Sequence, residues 1–134
     1  MTASEIHGCP FCYTNLKEKI IKEYGSVVAI NDEHPVSMGH MLIIPKRHCI
    51  DFFAMKEKER SDAGRLLHVL KEEIRSNDPA VTGFNIGMNS GESAGQTIFH
   101  SHIHLIPRRD GDTPNPRGGV RGVIPDKMNY PDIS

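Results

Sequence analysis

A chain of 134 residues, 25% of them charged and 37% hydrophobic, has the size and composition of one folded domain. Its 16 basic and 17 acidic residues leave a net charge of −1, which argues against nucleic acid or an anionic membrane held by bulk charge. No apolar run approaches the roughly 20 residues of a membrane helix, the opening MTASEIHGCP has no apolar signal-like core, and three cysteines do not make a disulfide framework. The expectation is a cytoplasmic protein, a single domain over residues 1–134.

Cys9 and Cys12 come first, in the stretch CPFC, with the spacing of half a zinc site. A redox pair or two core cysteines would read the same way. Ile20 to Tyr24 and Val27 to Ile30 read as strands around a turn at Gly25 and Ser26. His40 to Pro45 reads as a strand buried on both faces. From Lys56 to Ser76 the residues Ala63, Leu66, Leu67, Leu70 and Ile74 recur at helical spacing, with Asn77, Asp78 and Pro79 as a stop and no Ser, Thr, Asp or Asn at the start. Gly83 to Asn89 alternates like a half-buried strand, and Ile98 to Pro107 forms the next one after the loop SGESAGQ. The last 27 residues, rich in Gly and Pro, read as extended or looped. The pattern is α+β: a mainly antiparallel sheet of about five strands with one long helix.

The histidine strand carries the chemistry. Alternate strand residues share a face, about 7 Å apart, so His100, His102 and His104 form one row. Such a row can ligate a catalytic metal. It can also supply a neutral imidazole that attacks phosphorus while a neighbour fixes its tautomer. The glycine-bearing loop before it favours phosphorus, because backbone N–H groups can approach phosphate oxygens while Asn89, Gln96 and Thr97 add neutral donors. Arg108, Arg109, Arg117 and Arg121 follow the row; they are either solvated or able to reach the distal phosphates of a leaving group.

The run GQTIFHSHIHLIPR, residues 95–108, resembles the signature of the histidine triad family of nucleotide hydrolases and transferases. The stretch INDEHPVSMGHMLIIPKRH, residues 30–48, resembles that family's nucleoside-binding segment, and CPFC stands where many members begin. The resemblance implies that His102 is the nucleophile at the α-phosphorus of a nucleotide, forming a nucleotidyl-histidine that water hydrolyses. His104 would support it and His100 would complete the catalytic row. Asn89, Gly95, Gln96 and Thr97 would hold the phosphate, Asp32 the ribose and Phe11 the base. It further implies a structural zinc on Cys9, Cys12, His48 and His100, with residues 1–12 as the zinc-binding segment and 108–134 as the extended tail. A homodimer is implied too. The substrates implied are dinucleoside polyphosphates or nucleoside phosphoramidates; the arginine-bearing tail, and the absence of the tryptophan that marks the C-terminus of some phosphoramidase-like members, favour the first. A nucleotide-binding regulator without turnover and a metal-dependent catalyst remain the competing classes. Ser101 stands where the motif usually has an apolar residue. Cys49 reads as a small core hydrophobe, and His7, His34, His40 and His68 as structural.

Overall fold

Residues of both parities are apolar in the two central strands, Val27–Asn31 and Met41–Pro45, and nearly every one is buried. Such strands need cover on both sheet faces. In the computed structural model, which describes residue 6 and residues 8–131, a long helix covers one face and the N-terminal segment covers the other. His7 lies outside the described residues.

The sheet is antiparallel throughout, with β1 (Ile20–Tyr24), β2 (Val27–Asn31), β3 (Met41–Pro45), β4 (Val81–Gly87) and β5 (Ile103–Arg109) in the order β1-β2-β3-β5-β4. Two helices accompany it, α1 (Tyr13–Leu16) and α2 (Glu57–Asn77). Ala63, Leu66 and Leu70 of α2 pack on Val27, Ala29, Met41, Ile43, Ile103 and Leu105. Phe11 and Leu16 pack on the opposite face against Val28, Ile30, Leu42 and Ile44. No helix among the described residues is long and apolar enough to cross a membrane.

The start of α2 uses chemistry that the residue at its N-cap conceals. Lys56 has no side-chain acceptor, but its N–H donates to Glu59 Oε1 at 2.7 Å, so the return half of a capping box closes the end. Glu59 also takes two bonds from Arg47, at 3.0 and 2.8 Å, tying the PKRH segment to the helix. Further along, Asp62 Oδ2 accepts from the Ser26 N–H at 2.8 Å and the Ser26 hydroxyl at 2.7 Å, which locks the β1–β2 turn onto α2. That turn needs glycine twice over. Gly25 has φ +53°, and a Cβ there would stand 2.3 Å from Asp62 Oδ2. Gly25→Ala is therefore expected to destabilise the fold by about 2 kcal/mol, read as a lower denaturant midpoint with an unchanged slope.

The two C-terminal strands differ from the sequence expectation. β4 occupies 81–87 rather than 83–89, and β5 occupies 103–109 rather than 98–107. The ladder explains both shifts, because β4 runs from Val81 opposite Arg109 to Gly87 opposite His104 and has no partner strand beyond it. On the other side β3 ends at Pro45, a residue with no N–H to donate to a continuing β5. The tail is not simply extended: residues 119–123 and 125–127 form short 3-10 turns.

Candidate functional site: two histidine clusters joined through one backbone carbonyl

Only His104 of the three alternating histidines stands on a strand; His100 and His102 lie in the bent segment ahead of β5. There the Ser101 N–H leaves the sheet ladder to bond the Cys49 carbonyl at 2.7 Å. The row is consequently split between two environments.

His100, fully buried, faces the cysteines. Its Nε2–H donates to the Pro45 carbonyl at 2.8 Å, which leaves Nδ1 as the unprotonated nitrogen, 3.4 Å from Cys9 Sγ and 3.7 Å from Cys12 Sγ. His48 Nδ1 lies 3.5 Å from Cys12 Sγ. The ligand atoms of Cys9, Cys12, His48 and His100 all fall within 4.8 Å of one another. Tetrahedral zinc with Zn–S of about 2.3 Å and Zn–N of about 2.05 Å would hold sulfur and nitrogen about 3.6 Å apart. The donor set and its spacing fit that ion. The Ile6 N–H points to Cys12 Sγ at 3.3 Å, as backbone donors do around metal thiolates. Burial lowers the His100 pKa to about 4, so the ring stays neutral and able to ligate.

His102 and His104 face a cavity of about 390 Å³ lined by Phe11, Leu16, Ile30, Asp32, Leu42, Asn89, Gly95, Thr97 and Ile98 among others. The His102 Nδ1–H donates to the His100 carbonyl at 2.8 Å. Nε2 is thereby the nitrogen with the free lone pair. A second tautomer chain begins at the backbone. The Val36 N–H donates to His40 Nδ1 at 3.1 Å, so the neutral His40 ring carries its proton on Nε2 and donates it to His104 Nδ1 at 2.9 Å. His104 is left with Nε2–H as a donor. Asp32 Oδ2 flanks the pair, 3.4 Å from His40 Nε2 and 3.9 Å from His104 Nδ1, while Asp32 Oδ1 accepts the His34 N–H at 2.7 Å. Burial lowers the pKa of both His40 and His104, against the opposing pull of Asp32, so both are neutral near pH 7.

The expected site residues are mostly brought together. Phe11 packs its ring edge-on to His102 at 5.0 Å, and Asp32, Asn89, Gly95 and Thr97 line the cavity. Gln96 does something else. Its buried side chain accepts from the Gly91 N–H at 2.8 Å and donates to the Ile50 and Ile98 carbonyls at 2.6 and 3.1 Å, so it braces the loop instead of facing phosphate. The tail arginines are likewise engaged within the chain. Arg108 grips Asp112 with two bonds of 2.8 Å and reaches Asn85, Arg109 pairs with Asp78 at 2.7 Å, and Arg117 and Arg121 stack on Tyr130. His40 takes part in hydrogen bonding, as a structural histidine would, but its partner is a site residue. That link follows from β3 pairing beside β5, with Leu42 opposite His104, and no spacing in the sequence announces it. Lys19, from a segment without a motif, and Glu33 and His34, from the 30–48 stretch, also line the cavity. Cys49 is buried, its thiol pushed up to about 11 by desolvation, as suits a core hydrophobe.

Ser101 is the exception to polar satisfaction. Its Oγ is the only fully buried side-chain polar atom among the described residues without a hydrogen-bond partner. Ser101→Ala should raise stability by about 1 kcal/mol and leave activity unchanged. A lower melting temperature would contradict that account.

The family model described as the HIT domain matches residues 14–111. An uncharacterized HIT-like protein of Mycoplasma genitalium is 31% identical over 107 residues, which is 80% of this chain and 75% of that one. An adenylylsulfatase of Arabidopsis thaliana is 40% identical over 89 residues, 63% of this chain and 43% of that one. A zinc-bound histidine triad family protein from Mycobacterium smegmatis has a similar structure, with a TM-score of 0.72 and 30% identity over 81% of this chain and 80% of that one. The curated relatives compared are spanned to between 43 and 81% of their own length.

Proposed function

Because the chain belongs to the HIT domain family, we propose that it hydrolyses a nucleotide at the α-phosphorus through a covalent intermediate on His102. The observation that carries this reading is the His102 Nδ1–H held by the His100 carbonyl at 2.8 Å, which leaves the Nε2 lone pair to serve as the nucleophile in a ring lining a nucleoside-sized cavity. The base packs against Phe11, Leu16, Ile30, Leu42 and Ile98, and Asp32 accepts from a ribose hydroxyl. The α-phosphate sits at Asn89, Gly95 and Thr97, whose donors meet its developing charge. His102 Nε2 attacks phosphorus as the bond to the leaving group breaks and its electron pair stays on the departing atom, which accepts a hydrogen bond from the His104 Nε2–H when it leaves as an anion and takes that proton when it leaves as an amine. Water then attacks the nucleotidyl-histidine, its proton passing to solvent or back to His104, and the P–N electron pair returns to His102 Nε2.

Cys9, Cys12, His48 and His100 would hold zinc, which would supply a structural cross-link with all four ligands drawn from side chains. The segment anchored in this way carries the His100 carbonyl that orients His102. A reducing compartment such as the cytoplasm suits those thiols. The chain is proposed to form a homodimer, for which β4 offers an unpaired sheet edge.

The bond cleaved is a phosphoric anhydride or a phosphoramidate. Arg108 and Arg109 pair with Asp112 and Asp78, so neither guanidinium supports a preference for the distal phosphates of a dinucleoside polyphosphate. The test is turnover of diadenosine tetraphosphate, adenosine phosphoramidate and adenylyl sulfate, with AMP release from at least one expected. Nucleotide binding without turnover of any of them would favour a sensor and overturn the hydrolase reading.

A further inference from the structure

The apolar walls of the nucleoside cavity, Phe11, Leu16, Ile30, Leu42 and Ile98, accept any flat base and cannot tell one from another. Asp32, Asn89, Gly95 and Thr97 are assigned above to the ribose and the phosphate. That leaves Lys19, Glu33 and His34 as polar lining without a task in the reaction. Among them, Lys19 and Glu33 form a pair that offers a donor and an acceptor side by side.

The hairpin builds this pair. The β1–β2 ladder ends with Ile20 opposite Ile30, and the chain just beyond that rung brings the Lys19 ammonium onto the Glu33 carboxylate. Both backbones are held in place. The Lys19 N–H donates to the Leu16 carbonyl at 2.7 Å, and Asp32 Oδ1 accepts the His34 N–H at 2.7 Å, which closes an Asx turn across Glu33. The pair is therefore set before a ligand arrives. The Lys19 ammonium holds the Glu33 carboxyl below its ordinary range, so at neutral pH it is an ionised acceptor. With 55% of the Lys19 side chain and 63% of the Glu33 side chain exposed, both keep hydrogen-bonding capacity beyond the bond they share.

Resting on the nucleotide reading above, we propose that Lys19 and Glu33 read the base and select guanine, so that guanosine nucleotides are the preferred substrate class. The order of groups along the base edge carries the choice. Guanine presents an acceptor at O6 followed by donors at N1 and N2, which meet an ammonium followed by a carboxylate able to accept twice. Adenine reverses that order, with a donor at N6 and an acceptor at N1, and it has no donor at C2. It forms at most one bond with each member of the pair. Hypoxanthine keeps O6 and N1–H but lacks the amino group, so it stands between the two.

Calorimetric titration of the full chain with GMP, IMP and AMP tests this without requiring turnover. GMP is expected to bind about tenfold more tightly than AMP, a ratio kept modest by the exposure of the pair, with IMP between them. Glu33→Gln should bring the GMP to AMP ratio close to one, because an amide offers a single acceptor and sets its own N–H groups against those of guanine. An unchanged melting temperature would show that the variant is folded. The kcat/KM values for guanosine and adenosine phosphoramidates should follow the same ranking. Equal affinities for GMP and AMP, tighter binding of AMP, or a ratio that survives in folded Glu33→Gln overturns the proposal and leaves the hydrolase reading intact. A guanine preference in binding with no turnover of any nucleotide overturns the hydrolase reading and supports the base selection. Failure to bind any of the three nucleotides overturns both.

Discussion

His102→Ala is expected to lower kcat/KM by about 10⁵-fold on any substrate the protein turns over, because no neighbouring ring can take its place. His100 turns its Nδ1 to the cysteines and its Nε2 to Pro45, so both of its nitrogens are committed. His104 holds Nδ1 toward His40, which leaves only a protonated nitrogen for the cavity. His104→Gln should cost far less, about 10²-fold, since it weakens a hydrogen bond to the leaving group and spares the nucleophile. Steady-state kinetics separates the two variants. Comparable losses at both positions would contradict the division of roles within the row.

Removing the metal should be the second large effect. Structural zinc contributes an apparent binding free energy of about 10–16 kcal/mol in small domains, comparable with the entire stability of a domain this size. The cluster joins the N-terminal segment, the residues after β3 and the segment before β5, and the N-terminal segment supplies Phe11 and Leu16 to one core face. Cys12→Ser is therefore expected to abolish stoichiometric zinc and to lower the melting temperature by tens of degrees, or to prevent folding. Chelation of the wild-type protein should act in the same direction, and metal analysis with thermal denaturation reads both. A protein that loses zinc, keeps its melting temperature and regains activity on metal addition would instead hold a catalytic ion. Activity should fall together with structure because the His100 backbone orients His102.

How far the sequence carries the fold differs between its parts. The β1–β2 hairpin and α2 were legible because Gly25-Ser26 and the Ala63 to Ile74 stripe are local signals, complete within one element. The apolar and histidine pattern runs on through Ile98 and Phe99, so it points to a β5 that begins five residues before the observed Ile103, although the ladder partners have run out there. Pairing is a property of two strands, and one strand's pattern cannot report it. The start of α2 was hidden for a related reason, since the cap is supplied by Glu59 from inside the helix. In the site, the CxxC and the alternating histidines pointed to metal and phosphorus, but His40 and Gln96 exchanged their expected weights. His40 acquires its importance from a strand neighbour, and Gln96 loses its phosphate role to carbonyls that sequence spacing does not place beside it.

If His102 Nε2 is the nucleophile, it becomes bonded to phosphorus during turnover. Rapid quenching of the wild-type protein during turnover, followed by peptide mapping under mildly alkaline conditions that preserve phosphorus–nitrogen bonds, tests it most directly. A nucleotidyl group confined to His102 is the predicted result. Its appearance on His104 or any other residue would contradict the account.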